Sequence, residues 1–215
     1  DSIARTAEDL LRRGITRLAL GRDDDARKDL LTALDTGAGA LRQRARLELA
    51  FLDMRQGGHH DAGFGTAMAI ADHAESSSAV RARALHVAGW AAGKLRHTGR
   101  ALELLHAALD AWRDLGERAE ASHVTHTLGE VCAARGQLDH ALSYFAMSLV
   151  EKTRANDRVG IALSMGSIGR VHLCAGRFKD ALEAFRIDLE IATEVGDRRG
   201  QARMHEDIGR AYMGL

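Results

Sequence analysis

The stretch IGRVHLCAGRFKDALEAF, residues 168–185, repeats an arrangement present 40 residues earlier in LGEVCAARGQLDHALSYF, residues 128–145. Each reads apolar-Gly, then after six residues a second Gly, five further an Ala and four further a Phe. Outward from Gly129 and Gly169, steps of 40 reach Gly209 and Gly89, and a slightly uneven spacing reaches Ala50 and Gly14. Twelve residues after the first five of these positions stand Ala26, Ala62, Ala101, Ala141 and Ala181. Eight residues later stand Leu34, Ile70, Leu109, Leu149 and Leu189. Three columns that hold through five units mark a repeat architecture, and that reading comes before any local one.

The spacing inside a unit is helical. Phe178, Ala181, Leu182, Phe185 and Leu189 fall at i, i+3, i+4, i+7 and i+11, one side of a helix. Ile161, Met165, Ile168, Val171 and Leu173 read the same way. Between the two lies Gly176, suited to the left-handed backbone that ends a helix. Each unit is therefore helix, tight turn, helix. The connectors RANDRVG (154–160) and EVGDRRG (194–200) carry Asn-Asp and Gly-Asp, which stop one helix and cap the next. Gly in the first column and Ala in the second let paired helices approach closely, and Phe145 and Phe185 fill the space beyond. The chain holds no proline, so long helices can run uninterrupted. The expected fold class is all-α. Its units are placed at 7–42, 43–81, 82–121, 122–161 and 162–201, with a first helix of a further unit at 202–215, forming one solenoid over 1–215. Unit 43–81 is the weakest; its RQGGHHDAGFG (55–65) reads as the repeat turn with a poor second helix.

These columns resemble the tetratricopeptide repeat, W-x2-L-G-x2-Y followed by A-x3-F and a later Ala and Pro. The chain supplies Leu128-Gly129, Ile168-Gly169, Ile208-Gly209 with Tyr212, Ala141-x3-Phe145 and Ala181-x3-Phe185. Ala33, Ala69 and Ala108 match the later Ala column. The Trp, most first-column Tyr and the closing Pro are missing, and the middle units run to 39–40 residues, which points to a longer second helix. That resembles the extended variant of polarity adaptors and bacterial signalling proteins. The resemblance implies a right-handed superhelical solenoid of antiparallel helix pairs, whose first helices line a concave side that takes an extended or helical partner segment. Positions 2, 5, 9 and 12 of each unit would then line the groove. They include Leu47, Phe51, Met54, Arg83, His86 and Trp90 in the N-terminal half. In the C-terminal half they include His123, His126, Glu130, Arg170, Arg203, Glu206 and Arg210. The first set is largely apolar and the second polar, so the expected segment carries an apolar stretch and a carboxylate-bearing stretch, since Arg pairs with carboxylates in a forked geometry. The adaptors' ninth-position Asn is Arg or Glu here, so their ligand does not carry over.

Composition limits the alternatives. Thirty Lys and Arg balance thirty Asp and Glu, so no bulk attraction draws the chain to nucleic acid or an anionic membrane. Two Tyr and two Trp are too few for a stacking platform among Arg. No charge-free apolar run is long enough to span a bilayer. Cys132 and Cys174 make neither a disulfide framework nor a metal motif; both read as buried, inert thiols in a reducing, cytoplasmic setting. His123, His126 and Glu130 share one helix side at i, i+3 and i+7, with His86 one unit back, but the spacing matches no established zinc motif. His59 and His60 near a turn read as solvent-exposed. Phosphate-loop, dinucleotide and nucleophile-elbow motifs are absent from the sequence. No cofactor, metal or enzymatic activity is expected.

The expected function is a protein–protein interaction module for a peptide or helical segment. The alternative is a regulatory, sensory or dimerising domain of a larger bacterial signalling protein, such as a nucleotide cyclase or transcription regulator. At the C-terminal end Ile208, Ala211, Tyr212 and Leu215 would bury one side and leave apolar surface open. Either the chain continues into further repeats, or this helix packs on another chain, which would make a homodimer.

Overall fold

A computed structural model describes residues 6–73 and 75–215. Residues 1–5 and residue 74, which the solenoid expectation includes, lie outside the described residues. Among the described residues all regular structure is helical. The helices are α1 (Ala7–Ala19), α2 (Asp23–Thr36), α3 (Gly39–Gly57), α4 (His60–Ala71), α5 (Ser78–Lys94) and α6 (Thr98–Asp114). They continue with α7 (Arg118–Ala134), α8 (Leu138–Arg154), α9 (Arg158–Cys174), α10 (Phe178–Glu194) and α11 (Arg198–Met213). The connectors do what their residues dictate. Asn156 (φ 53°) and Gly196 (φ 72°) turn the chain left-handed. Asp157 and Asp197 follow, and each side chain accepts from a backbone N–H three residues on, Gly160 at 2.9 Å and Gly200 at 3.0 Å. Those bonds satisfy donors that a helix start leaves open. Thr6 and Asp9 form a reciprocal capping box on α1.

The chain forms two compact units, 1–117 and 118–215. In the first, α1 packs on α2, α3 on α4 and α5 on α6, while α1, α3 and α5 also touch in sequence. Its core includes Leu18, Ala26, Leu30, Ala45 and Leu52 toward the N-terminal end. Leu47, Met54, Ile70, Val87 and Leu104 continue it. In the second unit α7 packs on α8, α9 on α10, and α11 on α10. Its core is built on Phe145 with Cys132, Ala141 and Val171, and on Phe185 with Ala181, Met204 and Ala211.

The glycine column is the close-contact seam of each pair. A Cβ on Gly129 would lie 2.6 Å from the Phe145 ring, and one on Gly169 would lie 2.5 Å from Phe185. In the first unit Leu30 and Leu105 stand against Gly14 and Gly89 in the same way, at 2.8 and 2.7 Å. In all four cases the bulky partner follows its glycine by 16 residues. Ala26, Ala101, Ala141 and Ala181 are fully enclosed beside these seams. The second pair departs from the column. Ala62 is exposed, and the neighbouring Gly63 takes the inner place against the Met54 side chain. Its second helix, α4, has 12 residues where α6, α8 and α10 have 17, so the register shifts where the helix is shortest.

Candidate functional site

The first-helix surface of unit 1 is assembled from α3 and α5. Arg44, Glu48, Phe51 and Arg55 follow one another at helical spacing on α3; Arg83, His86, Trp90 and Lys94 do so on α5. Glu48 is the pivot, with 1% exposure. Arg83 grips it with two bonds, Nε to Oε1 at 2.9 Å and Nη2 to Oε2 at 2.7 Å. Arg44 Nε donates to Oε1 at 2.7 Å. Burial alone would raise the Glu48 carboxyl, but the Arg83 and Arg44 charges and their hydrogen bonds overcome it and hold it at about 2.

That ion triad aims a cation at an aromatic pair. The Arg83 guanidinium lies 5.2 Å from the Phe51 ring centroid, and Arg55 lies 6.0 Å from it. Phe51 and Trp90 meet edge to face, centroids 5.1 Å apart at 65°. Lys94 Nζ lies 5.2 Å from the Trp90 ring. Phe51 and Trp90 are half-buried, so each ring keeps some accessible surface beside these cations. His60 does not stand free in solvent as its turn position implied; its ring meets Trp90 at 5.5 Å.

The expected groove residues separate into accessible and enclosed columns. Leu47 (0%) and Met54 (2%) lie in the core, and His86 (6%) and His126 (4%) are likewise enclosed. The reason is common to them: their columns point toward neighbouring helices, so packing covers them. Of the expected groove residues in unit 1, Phe51, Arg83 and Trp90 keep partial exposure. In unit 2, His123, Arg203, Glu206 and Arg210 are exposed and Glu130 and Arg170 are partly so.

In unit 2 the histidines do not converge. His123 faces solvent while the His126 ring packs on Phe145 at 5.0 Å. Burial, with Lys152, His123 and Arg170 nearby, keeps His126 well below the usual imidazole range, hence neutral. Among the described residues no group of three His, Cys, Asp or Glu is placed to hold a metal ion. Behind His126 a buried amine crosses from α8 to α9: Lys152 Nζ donates to Ser164 Oγ at 3.0 Å. Burial brings this amine down to about 8, against the opposing pull of Asp157 and Glu130. The α9 and α11 arginines have carboxylates of their own. Arg170 Nη1 lies 3.7 Å from Asp207, and Arg210 donates to Glu206 at 2.7 Å.

Several of these groups escape sequence reasoning. Glu48, Lys152 and Asp188 are charged residues enclosed within the helix packing. Phe145, Ser148 and Lys152, like Phe185, Asp188 and Ala192, are spaced i, i+3, i+7, so the charged member of each set is where the core should be. The cysteines also differ from each other. Cys132 is buried and its thiol is raised by burial, while Cys174, in the last turn of α9, is exposed rather than enclosed. No helix among the described residues is long and apolar enough to cross a membrane.

Residues 164–199 match the tetratricopeptide repeat family. No curated protein matches the chain in sequence. Among solved structures it is similar to a Rap protein complexed with competence and sporulation factor, at TM-score 0.76 and 15% identity over 92% of this chain and 56% of that one. It is similar to aspartyl phosphate phosphatase F from Bacillus subtilis, at TM-score 0.67 and 12% identity over 93% and 54% of the two chains. A putative kinesin light chain of Podosopora anserina with nearly identical TPR-like repeats gives TM-score 0.62 and 17% identity over 80% and 86%. At such identities the likeness is one of fold, the antiparallel helix-pair repeat. The chain spans little more than half the length of the Rap protein.

Proposed function

We propose that this chain, a helical-repeat protein of the tetratricopeptide type, is a protein-interaction module, and that unit 1 docks a partner segment on the α3–α5 surface. The observation that carries the reading is the half-open Phe51–Trp90 pair with Arg83 held over it. An apolar side chain of a partner would cover the rings, and displaced water would supply the main driving force. Its carboxylates would meet Arg83 and Lys94, because one buried acid, Glu48, is shared between Arg44 and Arg83, while Arg55 is already paired with Asp23 at 3.1 Å. The partner segment is therefore acidic with one aliphatic or aromatic anchor. Unit 2, taken by itself, presents a polar first-helix surface of His123, Glu130, Arg170, Arg203, Glu206 and Arg210, where polar contacts to a partner would contribute more to orientation than to affinity.

Photo-crosslinking from position 51 tests this. The captured segment is expected to be acidic and to carry an apolar anchor, and its capture is expected to weaken with salt. Trp90→Ala is expected to weaken binding of that segment about 30-fold, the loss of a hot-spot aromatic. Undiminished binding by both Trp90→Ala and Arg83→Gln, in variants that still melt cooperatively, would sink the reading.

A regulatory domain of a larger protein is the second reading. It is supported by the chain's spanning 56% of the Rap protein and 54% of phosphatase F. Pairing of two chains through α11 is supported by Tyr212, Met213 and Leu215, which are 54, 83 and 64% exposed. Sedimentation of the wild type beside Met213→Glu checks the pairing; a monomer at all concentrations removes it.

A further inference from the structure

Asp188 and Asp207 are carboxylates inside the helix packing of unit 2. Asp188 comes from α10 at 2% exposure and Asp207 from α11 at 5%. The Oδ2 atom of each is sealed from water and meets no hydrogen-bond donor. Asp188 occupies the room that Gly166 leaves on α9, where a Cβ would strike its carboxylate. The charged groups that face it are Arg203 and Asp207 from α11, Arg170 from α9, and Asp197 at the start of α11. Arg170 is shared out: Nη2 donates to Ser167 Oγ at 2.9 Å and Nη1 reaches toward Asp207 at 3.7 Å. Arg210 leans on Asp207 from 3.9 Å but makes its short contact with Glu206.

An ionised Asp188 is a buried charge with an unmet oxygen, and the Arg203 and Arg170 cations that face it are opposed by Asp197 and Asp207, so burial leaves it a costly state. A proton on it removes the charge and turns an orphaned acceptor into a donor. We propose that this junction is a proton-operated latch on α11, closed when Asp188 is protonated and slackened when it ionises. Burial pushes the Asp188 carboxyl up; Arg203 and Arg170 pull it down, Asp197 and Asp207 push it further up, and the result is about 6. A carboxyl raised in the packed state binds its proton more tightly there than when α11 is detached. The packing is then tightest at low pH and weakens as pH rises from 3.8 toward about 6, with no further loss above.

Amide exchange across a pH series tests the latch on the whole chain. The reading is the opening equilibrium of α11 amides relative to those of α7, each corrected for intrinsic exchange. It is expected to rise about tenfold between pH 5 and pH 7 as Asp188 ionises. Asp188→Asn, which mimics the protonated acid, is expected to hold the ratio flat at its low-pH value. Asp207→Asn removes one repelling charge and is expected to move the midpoint to lower pH. A wild-type ratio that stays constant from pH 5 to pH 7 overturns the latch. So does a wild-type-like rise in Asp188→Asn, or, if that variant does not fold, an unmoved midpoint in Asp207→Asn.

Discussion

Phe185→Ala is expected to cost unit 2 about 3–5 kcal/mol, the range for truncating a buried aromatic. Phe185 has no exposed surface, and its ring edge lies where the Gly169 Cβ would be. The void left by the ring would be walled by Gly169 and Ala181, which have no rotatable side chain to swing into it. Leu182, Met204 and Ala211 complete the wall from the same helix and the next. Unit 1 already solves the same contact with leucine, placing Leu30 and Leu105 against Gly14 and Gly89. Phe185→Leu is therefore expected to be far milder, within about 1.5 kcal/mol. The reverse insult, Gly169→Ala, forces a methyl to 2.5 Å from the ring and is expected to cost about 1–3 kcal/mol by overpacking. Urea unfolding followed by circular dichroism measures all three. If Phe185→Ala and Phe185→Leu shift the midpoint equally, the glycine seam does not set the packing.

That seam is also what made the fold legible. A close approach tolerates one small residue at one place, so it recurs in sequence wherever the approach recurs, and its partner follows at a fixed offset. The connectors were legible for a similar reason, since Asp157 and Asp197 act on their own helices within three residues. The candidate site was less legible. Helical spacing puts Leu47, Phe51 and Met54 on one side of α3 but does not say how much of that side the neighbouring helices cover. Phe51 stays partly open while Leu47 and Met54 are enclosed. The charged interior was only partly visible: Arg44 stands one turn before Glu48, but Arg83 lies 35 residues on, and Lys152 answers to Ser164, 12 residues on. Ala62 misled by matching a column that the shortened α4 had moved.

Glu48→Ala is the other substitution with a large expected effect, a loss of about 3–5 kcal/mol from unit 1 at neutral pH. The loss comes from what remains: Arg83 and Arg44, at 12 and 15% side-chain exposure, would keep their charges with the shared carboxylate gone. Glu48→Gln retains an acceptor but not the charge, so it is expected to fall between wild type and Glu48→Ala. The pH dependence has a definite sign. A carboxyl depressed in the folded state contributes stability that is present above its ordinary value of 4.5 and is lost as pH falls toward about 2. The gap between wild type and Glu48→Gln should therefore narrow over that interval, measured by urea titration at a series of pH values. The triad is not required for stability in itself, because matched apolar replacement of buried ion pairs is often neutral. Its distinctive task is geometric: with Glu48 gone, the two bonds that brace the Arg83 guanidinium over Phe51 are lost. Glu48→Met with Arg83→Met and Arg44→Met is thus expected to recover much of the stability and none of the affinity for an acidic segment. Recovery of both would mean that the cation over the ring is incidental to docking.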